Sequence, residues 1–206
     1  MTSKSAGHAD PSIAPFVPQD PMVARSLIGL AGLPTIVALG PFDDRPHAEQ
    51  LAAAFATVRR HCKAQLVLLG CGPQRTTVVR RAYARDVGAN VQPLRDFPLG
   101  RWSDVVRAAD VVLPSTATGS MELLEVLAVG RAVVAPINPA TIRLVVPASV
   151  GLVYRPGDVS GMAAALLRLL TTPALRHGMA CRAAEVARRH QLQKRLQQSD
   201  EGNRYA

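Results

Sequence analysis

The feature that most constrains this chain is a repeated alternation. Six apolar runs of four to six residues are each followed by a turn and, for most, a stretch of helical period. The runs are TIVALG (35–40), QLVLLG (65–70), NVQPL (90–94), VVLPS (111–115), AVVAP (132–136) and GLVY (151–154). Between them lie PHAEQLAAAFATVRRH (46–61), TTVVRRAYARDV (76–87), WSDVVRAA (102–109) and MELLEVLAVG (121–130), then VSGMAAALLRLLTT (159–172) after the last run. Pro46 suits a first helical turn, and Asp158 is placed to cap the helix that follows it. Strands this short and uniformly apolar are buried on both faces, which requires right-handed crossovers and a parallel sheet. The fold class that follows is α/β, a doubly wound parallel sheet of Rossmann-like type.

With 206 residues and 48% hydrophobic content, the chain can bury one sizeable core. Residues 1–25 carry Pro, Ser, Ala and Asp without an apolar period and are expected to form a tail or linker, with ARSLIGLAGLP as a short helical approach. The domain is expected over 26–190, ending in a basic helix from about Pro173 to His190, with a polar tail over 191–206. No apolar run approaches the ~20 residues of a membrane span, and the start lacks a secretory pattern, so a soluble cytoplasmic protein is expected. Cys62, Cys71 and Cys181 are scattered without metal-binding spacing. The formal charge of +9 invites an anionic partner. Its arginines are spread along helices, which favours solvated helix faces and leaves a peripheral membrane contact as the lesser reading. Aromatic content of 4% argues against base-stacking binders, and no nucleic-acid partner is expected.

In doubly wound sheets, ligands bind at the carboxyl ends of the strands, where the strand order reverses. Three loops leave strand ends with small residues: Gly40-Pro41-Phe42, Gly70-Cys71-Gly72-Pro73, and the stretch from Ser115 through Thr118 and Gly119 to Ser120. The third precedes a helix and is a candidate anion cradle, although small residues also simply permit tight turns. Glu122 and Glu125 follow, three apart and so on nearly the same helix face. The helix dipole accounts for Glu122 in the first turn. Glu125, between Leu124 and Val126 on an otherwise apolar helix, is expected to be buried. A buried carboxylate needs hydrogen-bond donors, and a vicinal diol such as a ribose supplies two.

These segments, from Phe16 and Pro18 through LAGLPTIVALG, QLVLLGCGP, AADVVLPS, LLEVLAVGRAVVAP and GLVYRPGD to LLRLLTTPALRHGM, resemble the C-terminal, nucleotide-sugar-binding half of glycosyltransferase family four. The likeness covers about residues 14–190. It implies one half of a GT-B fold and a retaining transfer of sugar from a nucleotide diphosphate donor of UDP, GDP or ADP type, without a metal or other cofactor. It also implies that a separate half binds the acceptor. Glu125 matches the second Glu of the family's paired-glutamate motif, which grips the ribose hydroxyls. Gly119 and Ser120 fall in the loop that meets phosphates and sugar, Leu94 and Arg95 in the segment that lines the base, and Gly70 and Gly72 in a Gly-x-Gly-Pro turn. Gly40 ends the first strand of the pattern.

The departures from that pattern are specific. Thr118 stands where the family's first Glu serves the donor sugar, in a loop one residue shorter. Pro41 stands in place of an Arg, and Pro46, beside Arg45, in place of a Lys. Those two cations normally neutralise the diphosphate, and Arg45 is at hand to replace one of them. No residue is identified as catalytic. The donor-binding half of a glycosyltransferase is the leading reading. The alternatives are a catalytically degenerate nucleotide-sugar-binding or scaffold protein, and a different user of the same sheet such as an epimerase half. The last helix carries Leu175, Met179, Ala183 and Val186 at helical spacing, which suggests a homodimer or a separate acceptor-binding subunit unless that stripe packs on the chain's own sheet.

Overall fold

The computed structural model describes residues 20–94 and 102–203, with side chains through Gln193. Six parallel strands form one sheet: β1 (Thr35–Leu39), β2 (Gln65–Leu69), β3 (Val91–Leu94), β4 (Val111–Leu113), β5 (Ala132–Pro136) and β6 (Gly151–Tyr154). Their spatial order is β3-β2-β1-β4-β5-β6, so the chain winds outward one way from β1 and then the other way from β4. The helices are α1 (Pro21–Leu27), α2 (Arg45–His61), α3 (Arg75–Tyr83), α4 (Trp102–Arg107), α5 (Ser120–Ala128), α6 (Pro139–Leu144), α7 (Val159–Thr171) and α8 (Pro173–Asn203).

Pleat alternation divides the core into two layers. Ile36, Ala38, Leu66, Leu68, Val111 and Leu113 point to one face, where α2, α3 and α7 cover them. Val37, Val67, Val112 and Val133 point to the other, against α4, α5, α6 and α8. Burial on both faces is what makes the inner strands β4 and β5 uniformly apolar rather than alternating. Helix starts are fixed by short polar side chains. Asp44 accepts from the His47 N–H at 3.3 Å, and Asp158 accepts from the Gly161 N–H at 2.7 Å.

Three elements depart from expectation. Helix α1 begins at Pro21, within residues 1–25, and its Arg25 is buried and tied to the sheet. Helix α6 was not anticipated; it is short, and a reciprocal capping box between Asn138 and Thr141 starts it. Helix α8 continues past His190 to Asn203, through most of the segment expected as a polar tail.

At the amino ends of β1 and β4, Asp110 is a buried hub. Its Oδ2 accepts from the Thr35 N–H at 2.8 Å and from the Arg25 guanidinium, and its Oδ1 takes Arg176 of α8 at 3.2 Å. Arg25 Nε also donates to the Ala108 carbonyl at 2.9 Å. One carboxylate thus joins α1, the sheet and α8. Nearby Arg131 donates to the Arg107 carbonyl at 2.6 Å, and burial pushes its pKa down to about 10.

Candidate functional site at the switch point

The sheet reverses direction between β1 and β4, and their pairing register decides what meets there. Ala38 pairs with Leu113, so Gly40 and Ser115, each two residues further on, leave the sheet at the same level. The first and third small-residue loops therefore flank the reversal, where such sheets bind ligands.

The loops after β1 and β2 are bonded together beyond the strands. The Gly40 N–H donates to the Leu69 carbonyl at 2.8 Å, the Phe42 N–H to Cys71 at 2.9 Å, and the Gln74 N–H to Phe42 at 2.8 Å. This close approach explains the glycines. Gly72 has φ of +133°, and a Cβ there would sit 2.5 Å from the Phe42 nitrogen and oxygen. Gly70, at φ +117°, lies with its Cβ position 3.1 Å from Gly40. These two glycines shape the β1 loop, and Phe42, buried beneath it, anchors it.

Beyond β4, Ser115 is buried with its hydroxyl 3.2 Å from that of Thr118, and the Thr118 N–H donates to the Ser115 carbonyl. Gly119 is the N-cap of α5 and offers no side-chain acceptor to the helix. The Glu122 carboxylate folds over that end; its Oε2 lies 2.7 Å from where a Gly119 Cβ would be. This is the acid that the helix dipole favours in a first turn.

Glu125 is exposed, which corrects the expectation of burial. Leu123, Val126 and Leu127 carry the buried face of α5, while Met121, Glu122 and Glu125 share the face toward water. The high apolar content of α5 conceals an ordinary 3.6-residue period. Glu125 therefore needs no protein donor, and its carboxylate is open to a ligand.

Arg45 opens α2 at the mouth of the β1 loop, mostly in solvent. Its Nε donates to Glu49 Oε1 at 3.2 Å, and Arg81 donates to the same oxygen at 2.7 Å. Hydrogen bonds from Arg81 and then Arg45 hold the Glu49 pKa below the usual carboxylate value. Leu94 ends β3, level with Leu69 and two strands from β1, about 10 Å across the sheet. Arg95 lies outside the described residues.

Arg75 escaped the sequence reading. Its Nη1 donates to the carbonyls of Gly70 at 3.0 Å and Leu94 at 3.2 Å, binding together the carboxyl ends of β2 and β3. The sole sequence signal was an Arg just after Gly72-Pro73. Residues Gly40, Gly70, Gly72, Thr118, Gly119 and Ser120 are thus gathered at one edge, Glu125 stands just beyond them on α5, and Leu94 lies further along.

A parallel sheet in this order, with small-residue loops at its reversal, defines a Rossmann-like domain that matches GT-B glycosyltransferase structures. The chain belongs to the group 1 glycosyl transferases, whose family model matches residues 33–172. It is 29% identical over 161 residues to the phosphatidyl-myo-inositol mannosyltransferase of Mycolicibacterium smegmatis, a match covering 76% of this chain and 41% of that protein. A C-terminal domain of a group 1 glycosyl transferase from Francisella tularensis superposes with a TM-score of 0.71 at 17% identity, covering 84% of this chain and 93% of that one. Anabaena HepE, solved in complex with UDP and glucose, superposes with a TM-score of 0.67 at 17% identity, covering 92% and 53%. The chain spans less than half of the mannosyltransferase and about half of HepE. Among the described residues, no helix is long and apolar enough to cross a membrane.

Proposed function

We propose that residues 26–190 form the donor-binding half of a retaining glycosyltransferase. The crevice between the β1 and β4 loops takes a nucleotide diphosphate sugar, and an acceptor-binding half completes the enzyme. The register that brings Gly40 level with Ser115 carries this reading, because it sets two small-residue loops and the N-terminus of α5 around one point. The diphosphate lies against Gly119, Ser120 and the first turn of α5, whose N–H groups favour an anion once the Glu122 carboxylate turns away from that end. Arg45 adds a cation once it turns from Glu49, and Thr118 meets the donor sugar. Glu125 accepts hydrogen bonds from the ribose hydroxyls, while Leu94 and Arg95 line the base. Transfer breaks the bond from the anomeric carbon to the diphosphate oxygen and forms one to an acceptor hydroxyl, whose proton is released. The group's part is to stabilise the charge left on the diphosphate.

The likeness to almost the whole of an isolated C-terminal domain supports the assignment to that half, and the UDP and glucose of HepE support the ligand class. The crevice rim also exposes large apolar side chains: Met121 at 58%, Ile137 at 36% and Ile142 at 52%. Such a rim suits an acceptor half or a second copy of this chain. A binding-only role is the second reading. It is favoured by Pro41 in place of the family's cation and by Arg45 being engaged with Glu49.

A thermal-shift panel of UDP, GDP, ADP and their sugars tests the proposal. A nucleotide at 100 times its dissociation constant stabilises the fold by about 2.7 kcal/mol, a clear rise in Tm. A flat response to all of them at millimolar concentration rejects both readings.

A further inference from the structure

Far from the crevice, the outer surface of helices α2, α3 and α7 carries an open cavity of about 570 Å³. It is walled by the C-terminal half of α2, the segment after α3 and the first residue of α7, Val159. Its polar lining is Arg59, Arg60, Arg85, Asp86 and Thr57. Helix rise places Thr57 and Arg60 about 20 Å along α2 from Arg45, so this cavity is separate from the switch-point loops.

The lining is strongly unbalanced. Three guanidiniums meet one carboxylate, and no described residue forms an ion pair with Arg59, Arg60 or Arg85. Other arginines of the surface share acids: Arg45 and Arg81 take Glu49, and Arg188 and Arg189 take Glu185. The three cavity arginines are nonetheless positioned. Arg59 Nη1 donates to the Ala64 carbonyl at 3.2 Å, Arg60 Nη2 to Thr57 Oγ1 at 3.0 Å, and Arg85 Nη1 to the Arg81 carbonyl at 3.0 Å. A guanidinium has five N–H donors, so each keeps several for a ligand. The dipole of α2 gives a local reason for cations in its last turn. It does not account for Arg85, which reaches the same cavity from another part of the chain.

We infer that this cavity is a second anion site, one that takes a phosphate monoester on Arg59, Arg60 and Arg85. A phosphate monoester carries about −1.5 to −2 charges at neutral pH and three acceptor oxygens, which suit forked guanidinium donors. The volume exceeds a bare phosphate and leaves room for an organic group against Ala53, Ala56 and Val159. The phosphate belongs either to a soluble ester or to a lipid headgroup.

The test titrates the full ¹⁵N-labelled chain with glycerol 3-phosphate, and in parallel sediments it with phosphatidic acid or phosphatidylcholine vesicles. Saturable amide shifts at residues 57–61 and 85–87 are expected. Arg60→Ala and Arg85→Ala, both at exposed side chains, should each weaken binding at least about tenfold with the fold intact, and the double variant should abolish it. Glu125→Gln should leave this response unchanged, which keeps its failure distinct from failure of the donor site. Response to the soluble ester assigns a small-molecule ligand. Arginine-dependent binding to phosphatidic acid vesicles alone assigns the same phosphate to a lipid. No shift at these amides and no sedimentation, or binding that survives the double variant, overturns the inference.

Discussion

Glu125 stands in water beside Glu122, and the proposed donor site gives it the ribose hydroxyls. Because its carboxylate is exposed and forms no hydrogen bond or ion pair with a described residue, a conservative change leaves the fold alone and reports on ligand only. Glu125→Gln should weaken binding of the best nucleotide about tenfold by calorimetry, at the low end for a charge-assisted bond, with an unchanged Tm. Equal affinity in the variant would remove the ribose role. His47, in the first turn of α2, titrates in the opposite circumstance. Burial pushes its pKa below the usual 6.5, only partly opposed by Asp44. The unfolded chain therefore binds a proton near pH 6.5 that the folded chain refuses, so stability falls as pH drops below 6.5 and levels off below the folded value. The loss reaches up to about 1.4 kcal/mol per pH unit in that window. Urea midpoints at pH 7.5, 6.5 and 5.5 should show the decline, and His47→Gln should flatten it. An identical decline in the variant would place its source elsewhere.

Individual elements were legible to different degrees, and the differences have physical causes. The inner strands announce themselves, because burial on both faces makes β4 and β5 apolar throughout, whereas the edge strands β3 and β6 are only partly buried and β3 carries Gln92. Helices α2 and α7 carry both an apolar period and a capping Asp. Helix α6 had its signal in Asn138-Pro139-Ala140-Thr141, but six residues are too few to show a period. The apolar stripe on α8 is used within the chain: Met179 and Ala183 are buried, Leu175 and Val186 are partly so, and the helix packs on α5, α7 and β5. What secures α1 and α8 at the amino side of the sheet is Asp110. Its removal strands Arg25 as a buried charge without its partner, which costs about 3–5 kcal/mol. Asp110→Ala should lower the urea midpoint accordingly, with faster amide exchange in α1 and the start of α8. Wild-type stability in this variant would show that the hub holds nothing.

For the whole molecule, the decisive fact is that it spans only 41% of the mannosyltransferase and 53% of HepE. These 206 residues alone should transfer no sugar, at most hydrolysing donor slowly, because an open crevice neither binds an acceptor nor excludes water. Mixing with a cognate acceptor-binding half should restore transfer, and Ile142→Arg on the apolar rim should prevent that rescue without lowering nucleotide affinity. Robust transfer by the isolated chain would refute the division of labour proposed here. A partner held by the rim should also survive salt that screens arginine-mediated association, which light scattering at low and high salt would show.

The sequence by itself determined the parallel α/β class, the identity of all six strands and the loops available to a ligand. Each of these is encoded within a few residues, as a run, a period or a cap. The family likeness adds the match of Glu125, and the helical period of α5, masked by its high apolar content, sets that residue in solvent. Tertiary structure alone decided which strands are neighbours, and so which loops flank the reversal. It also showed Gly70 and Gly72 to be spacers against the β1 loop, Arg75 to bind two strand ends, and Asp110 to gather cations from distant segments. None of these could be read locally, because each depends on backbone or charge brought close by residues tens of positions away.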